Sequence, residues 1–236
     1  MNVGQVLYNC KDFLITMSEV IFVSGIDTDA GKTYATGYLA RKLMDQGKKV
    51  ATVKFIQTGC NGFSEDIEVH RKLMDVELPE DKELVTAPII FTYPASAQLA
   101  ARLDGKEIDL TRMDQALEKL KEKYDVILVE GAGGLMVPLT DDVLSIDYPK
   151  SRQLPVILVT NGILGSINHT ILSLEALANR GMKIHSVVYN KYFDKDQTIA
   201  EDTHGFIERY LQRHHPGVTL MDIPALIGDN ESPAER

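Results

Sequence analysis

The sequence predicts an α/β protein of the P-loop NTPase type, with a doubly wound, mostly parallel sheet and helices on both faces. Three observations carry that prediction. Short, continuously apolar runs recur along the 236 residues, helical patterns fill the intervals between them, and the first run leads directly into a glycine-bearing loop, GIDTDAGKT at 25–33. Continuous rather than alternating apolarity suits strands covered on both faces, as in parallel sheets. Strand and helix in alternation imply right-handed crossovers, with ligands at the carboxyl ends of the strands.

In chain order, strands are expected at Glu19 to Ser24, Lys49 to Phe55, Asp125 to Glu130, Leu154 to Thr160 and Ile184 to Asn190, the last alternating more than the others. Lys32 to Gln46 carries Tyr34, Tyr38, Leu39 and Leu43 at helical spacing, and Gly47 stands where a helix stop belongs. Met113 to Lys123 and His169 to Asn179 read as helices too. No linker, repeat or low-complexity tract interrupts the chain, so residues 17–236 are expected to form a single domain. The first 16 residues precede the cleaner strand pattern that opens at Met17 and are assigned no role, as an added leader or a misplaced start.

A formal net charge of −9 argues against a general nucleic-acid binder, which needs clustered Lys and Arg. No apolar run reaches bilayer length and no export signal pattern opens the chain, so neither membrane nor secretion is expected. Cys10 and Cys60 lack any CxxC spacing, which suggests neither a disulfide framework nor zinc and fits a reducing cytoplasm.

The loop at 25–33 points to Mg-ATP. Successive backbone amides that run into a helix N-terminus form an anion site. Gly31 allows close backbone approach, Lys32 adds a charge for the β and γ phosphates, and the Thr33 hydroxyl is placed to ligate Mg²⁺. Five residues rather than four separate Gly25 from Gly31, which assigns the loop to a subset of P-loop proteins. Lys54, ending the second strand in KFIQTG, offers a second cation beside the phosphates, although a solvated strand-end lysine is the commoner case for such a residue taken alone. Glu130 ends the third strong strand in VILVEGAGG, where a carboxylate would reach the metal on Thr33 and the following glycines would admit a ligand. Asp66, in SEDIEVH, is a second candidate carboxylate. His70, His169 and His185 lack metal-ligand spacing and read as ordinary helix or strand residues.

Taken together, GIDTDAGKT, KFIQTG, VEGAGGLMVPL, LPVILVTNGILGSINHTIL and VVYN resemble the dethiobiotin synthetase family, in order from about Met17 to Pro224. The resemblance implies an ATP- and Mg²⁺-dependent cyclo-ligase that carboxylates 7,8-diaminononanoate with CO₂ to a carbamate, phosphorylates it and closes the ureido ring. It implies catalytic roles for Lys54, Lys32 and Thr28, and metal ligation by Thr33, Asp66 and Glu130. Nucleotide contacts are implied for Asp29, Ala30, Gly31, Lys32, Thr33 and Tyr34, for Asp66, Glu130, Gly131, Ala132 and Gly133, and at the base for Asn190, Pro224, Ala225 and Leu226. Substrate contacts are implied for Thr58 and, across a homodimer interface with shared sites, for Gly165, Ser166 and Asn168. Considered alone, Ser166 to Asn168 is equally an N-cap for the helix that follows.

Two departures from the family pattern stand out. In PASAQLAA, Ala97 and Gln98 replace a Pro and a His, which bears on the shape of the substrate loop, and Lys191 follows Asn190 where an acidic side chain can occur, which bears on nucleotide preference. Two rivals share the same ATPase core. A dimeric partitioning or septum-placement ATPase switch would carry a lysine at the position of Asp27, and a cobalamin-pathway amide ligase would carry a further glutaminase domain.

Overall fold

The computed structural model describes residues 18–225, so the leader, Cys10, Met17, Leu226 and the closing tail lie outside the described residues. Strands β1 (Glu19–Gly25), β2 (Val50–Lys54), β5 (Val126–Gly134), β6 (Val156–Asn161), β7 (Ile184–Asn190) and β8 (Thr219–Ile223) form one sheet in the order β2-β5-β1-β6-β7-β8. Every neighbouring pair in it is parallel. The short β3 (Gln57–Thr58) and β4 (Ile90–Phe91) pair separately. The expected doubly wound sheet is present.

The continuous apolar runs divide between two cores because successive strand side chains face opposite ways. On one face Ile21, Val23, Val50, Val126, Leu128, Ile157 and Val159 pack against α1 (Lys32–Asp45) and α2 (Glu65–Met74). On the other, Val20, Phe22, Val53, Ile127 and Val129 meet α4 (Ala97–Leu103), α5 (Thr111–Lys121), α7 (Ser166–Ala178) and α8 (Gln197–His214). The one-turn helices α3 (Pro79–Lys82) and α6 (Asp147–Ser151) bridge the connections. Fully burying each Leu, Ile or Phe is worth about 1.5–3 kcal/mol, so the two cores carry most of the favourable burial.

Helix α1 differs from its pattern in one respect. Its deeply buried face is small, with Ala35, Thr36, Gly37 and Ala40 beside Leu39, while Tyr34 and Tyr38 are half-buried and stack on each other. Small residues let α2 approach closely. A Cβ on Gly37 would come within 2.7 Å of Leu73 Cδ1 and 3.0 Å of Leu73 Cβ. Gly47 closes the helix as expected, at φ 84 with its amide donating to Met44 O.

The structure lengthens one expected strand and adds elements that the sequence did not mark. Strand β5 runs past Glu130 through the glycines to Gly134, with a register irregularity against β1 between Val23 and Gly25. Strand β8, α8 and α2 complete the order, and α2 is capped by Ser64, whose Oγ accepts from Ile67 N at 3.2 Å. Glu65, Asp66 and Glu68 fill its first turn and Arg71 and Lys72 its last, which complements the helix dipole. Helix α7 starts three residues before the expected His169.

Candidate active site

Period-two alternation puts Thr52 and Lys54 of β2 on the same sheet face as Leu128 and Glu130 of β5, under α1 and α2. Lys54 and Glu130 are direct partners in the parallel register, as are Thr52 and Leu128. Lys54 Nζ donates to Glu130 Oε1 at 2.8 Å and also bonds the Asp66 carboxylate at the start of α2. The Thr33 hydroxyl, on the first turn of α1, lies 2.9 Å from Glu130 Oε1 and 3.1 Å from Asp66 Oδ1. Four sequence-distant segments, α1, β2, α2 and β5, therefore converge at the carboxyl end of the sheet.

The charges are held firmly. Burial opposes ionisation of Glu130, which is fully buried, yet the Lys54 ammonium and the His70 hydrogen bond hold its carboxyl well below the usual range. Burial likewise opposes the charge on Lys54, but Glu130 and then Asp66 overcome it and raise the ammonium above its ordinary value. Lys32 has less support. Burial, and then repulsion from Lys54, lower it to about 8 against the raising influence of Glu130 and Asp66. Its Nζ folds back over the loop and donates to Asp27 O and Thr28 O, each at 2.8 Å.

The phosphate loop has the expected form. Gly31 caps α1 at φ 84, and a glycine cap has no side chain to occupy the first amides of the helix. A Cβ there would lie 2.2 Å from Asn190 Nδ2 and 3.0 Å from Phe193, so glycine is required by both backbone and space. Thr28 and Asp29 are exposed and Ala30 is buried. Asp27 caps the amide of Thr28 at 2.7 Å. Tyr34 lies on α1 against Tyr38.

Oxygen donors of this kind suit Mg²⁺. An octahedral ion with ligands at about 2.0–2.1 Å has adjacent oxygens about 2.8–3.0 Å apart. Of the two Thr33–carboxylate separations, 2.9 Å falls on that edge and 3.1 Å just beyond it. Thr33, Asp66 and Glu130 thus form a hydroxyl-plus-two-carboxylate set whose spacing fits such a cation.

Beside the loop, a cleft of about 440 Å³ is lined by Ile26, Asp27 and Thr28, by Gly134 to Pro138 and by His169, Leu172, Ser173 and Ala176 of α7. Gly131, Ala132 and Gly133 carry β5 toward it, with Gly133 at φ 67 close to Val137. Gly165, Ser166 and Ile163 border a smaller adjoining cleft with Asp27, Asp29 and Ala30. The cap of α7 is Gly165, at φ 102, rather than Ser166, because the helix begins one residue earlier than a serine cap would require. Ser166 is its first residue and donates from Oγ to Asn161 Oδ1 at 2.5 Å, while Asn168 is exposed.

At the far end of the loop, buried Asn190 accepts from Tyr192 N at 3.1 Å and pairs in register with Ile223, which sets the exposed Pro224 and Ala225 beside it. Lys191 forms an ion pair with Asp222 at 2.6 Å. Thr58 is half-buried on β3 and does not line the main cleft. Ala97 opens α4 and is buried, and Gln98 donates to Asp141 Oδ1 at 2.7 Å, so the altered loop is anchored by other means.

One residue at the site was read only as an ordinary helix residue. His70 lies on α2, as expected of a helix position, but it is fully buried and its Nε2 meets Glu130 Oε2 at 2.7 Å. The available signal was its spacing of four from Asp66, which puts both on one helical face. His169 and His185 lie on α7 and β7.

A family model described as an AAA domain matches residues 19–226. The ATP-dependent dethiobiotin synthetase BioD 2 of Pasteurella multocida is 49% identical over 212 residues, 89% of this chain and 99% of that protein. BioD 2 of Haemophilus ducreyi is 46% identical over 87% of this chain and 98% of its own, and BioD of Chlorobaculum tepidum 46% over 85% and 84%. Among solved structures, the septum site-determining protein MinD of Pyrococcus horikoshii complexed with Mg-ADP aligns with TM-score 0.52 at 21% identity, over 89% of this chain and 82% of that one. Chloroplast FtsY of Physcomitrella patens aligns at 0.51 and 16%, over 86% and 57%. These two likenesses concern the fold alone.

Proposed function

The chain belongs to the ATP-dependent dethiobiotin synthetases, ligases of biotin biosynthesis, and from that premise we propose how its own residues carry out the reaction. The substrates are 7,8-diaminononanoate, CO₂ and ATP. One amine attacks CO₂ and loses a proton to give a carbamate. A carbamate oxygen then attacks the γ-phosphorus and ADP leaves. The second amine attacks the resulting mixed anhydride at its carbonyl carbon, phosphate departs, and the ureido ring closes with loss of a proton.

The observation that carries this reading is the second buried cation, Lys54, set against Glu130 and Asp66 beside the phosphate loop. Little covalent work falls to the protein in such a sequence, and holding the reactants in line while neutralising charge does most of the work. Lys32 and the amides of Thr28 to Thr33 hold the triphosphate, and Lys54 stabilises carbamate and phosphoryl oxygens. Thr33, Asp66 and Glu130 would hold Mg²⁺, which supplies charge neutralisation at the phosphates when bound. Asn190, Pro224, Ala225 and Leu226 take the base, with Tyr34, Gly131, Ala132 and Gly133 completing the nucleotide contacts. The aliphatic chain of the diamine lies in the cleft between the loop and α7, and its amine end extends beyond the residues lining that cleft toward Thr58.

Gly165, Ser166 and Asn168 bind the far carboxylate of a substrate held by a second copy, so the working form is a homodimer. The exposed Ile163, Leu164 and Leu172 on this flank favour that arrangement.

The deciding experiment follows ADP release with Mg-ATP and bicarbonate, with and without the diamine, while the product is identified by mass. Diamine-dependent release with dethiobiotin as product is expected. Slow release indifferent to the diamine would overturn the proposal in favour of an ATPase switch.

A further inference from the structure

Glu130 uses its two oxygens differently. Oε1 faces the reaction side, where Thr33 and Lys54 donate to it at 2.9 and 2.8 Å. Oε2 faces away and meets only His70 Nε2 among the hydrogen bonds of this carboxylate, at 2.7 Å. A buried carboxylate can only accept, so Nε2 carries a proton and donates whichever way the rest of the chain of bonds is arranged.

Behind His70 the contacts continue without a gap. His70 Nδ1 lies 3.0 Å from Thr52 Oγ1, which also receives Arg71 Nη1 at 2.7 Å. Arg71 in turn makes a bidentate pair with Asp81, from Nε at 2.7 Å and Nη2 at 2.8 Å, and Thr86 donates to the same carboxylate at 2.7 Å. His70 and Thr52 are fully buried and Arg71 nearly so. Arg71 therefore anchors Thr52, and Thr52 fixes the plane of the imidazole.

We propose that His70 is a positioning residue: by occupying Oε2 from a fixed ring, it locks the Glu130 rotamer so that Oε1 alone is presented to Mg²⁺ beside Thr33 and Asp66. This inference rests on the metal reading given above. A single presented oxygen suits an ion that demands near-octahedral geometry, and partners of this outer kind tune metal affinity by orienting the ligand.

The test uses the full chain with ADP and Mn²⁺ as a spectroscopic stand-in for Mg²⁺, reading free Mn²⁺ by its electron paramagnetic resonance signal. His70→Leu is expected to weaken Mn²⁺ binding by about 10–100-fold, and His70→Gln, which keeps a donor to Oε2 and an acceptor toward Thr52, to restore most of the affinity. In a Glu130→Gln background, His70→Leu should cost nothing further, whereas a merely structural role would cost the same in both backgrounds.

Native affinity in folded His70→Leu, or equal losses in the two backgrounds, overturns the proposal. If His70→Leu does not fold, Thr52→Val takes its place and should lower Mn²⁺ affinity in the same direction, with unchanged affinity overturning the idea. The metal reading itself fails separately, and takes this inference with it, if Glu130→Gln alone leaves Mn²⁺ binding intact.

Discussion

The two ends of the active cleft are built on opposite plans. At the phosphate end Lys54, Asp66, Glu130 and His70 satisfy one another inside the fold, and Glu130 and His70 have no exposure at all. At the α7 end Ile163, Leu164 and Leu172 are 48%, 82% and 56% exposed, and Gly165 and Asn168 face solvent. The first region is preorganised by its own chain. The second offers apolar surface that this chain alone leaves uncovered, and it is there that the proposed dimer would close. Preorganised charge is suited to stabilising a transition state, and a completed flank is suited to binding the remote end of a substrate.

Substitutions can break or sharpen that contrast. Lys54→Gln should have the largest effect, lowering kcat by about 10²–10³-fold, or about 3–4 kcal/mol. Initial-rate ADP release checks it, and a loss below tenfold would assign phosphoryl stabilisation elsewhere.

Asp81→Asn comes next because it unpins Arg71 far from the reacting atoms. Burial opposes the charge on Asp81, but hydrogen bonds from Arg71 and Thr86 hold its pKa below the ordinary value. A depressed carboxylate gives stability that is present above its unfolded pKa, near 3.9, and is lost as pH falls through the folded one. The variant should lose about 2 kcal/mol at neutral pH. Its stability should also fall less steeply below about pH 4 than that of the parent, as denaturant titrations across pH would reveal.

Leu164→Asp addresses the open end. It should shift the protein to monomers in sedimentation and raise KM for the diamine about tenfold, equivalent to about 1.4 kcal/mol, with ADP affinity unchanged. Unaltered mass and KM would detach the α7 flank from substrate binding.

Gly37→Ala should be the mildest, costing about 1 kcal/mol in thermal unfolding as α2 is pushed off α1. Because α2 carries Asp66 and His70, a matching loss of Mn²⁺ affinity would show that helix spacing sets the metal site.

What could be read from the residues follows the same division. Lys32, Thr33, Lys54 and Glu130 announce themselves because each is a charged or hydroxyl residue at the end of a strand or the start of a helix, where the fold leads every chain to the same edge. Asp66 needed only its helix to be placed. His70 was hidden because its partner lies 60 residues away, and its spacing of four from Asp66 becomes a signal only once both are placed on α2. Strand β8 was missed since TLMDI is mostly exposed and lies at the sheet edge, beyond the reach of an argument from continuous burial. The pair β3 and β4, at two residues each, is too short for any period. Helix α8 was legible in principle, since Ala200, Thr203, Ile207 and Leu211 repeat at three and four, but its polar faces dilute the stripe.

The direct register of Lys54 with Glu130 has a bearing on folding as well as on chemistry. Strand β2 is an outer strand of the six and is paired on one side only, with β5. A slip of one residue there would turn Lys54 to the opposite face and leave Glu130 charged in the core without its ammonium partner. The ion cluster thus acts as a proofreader of strand pairing: a mis-threaded sheet is penalised by the same charges that would disable it as an enzyme, so molecules that reach the stable state have already assembled their site.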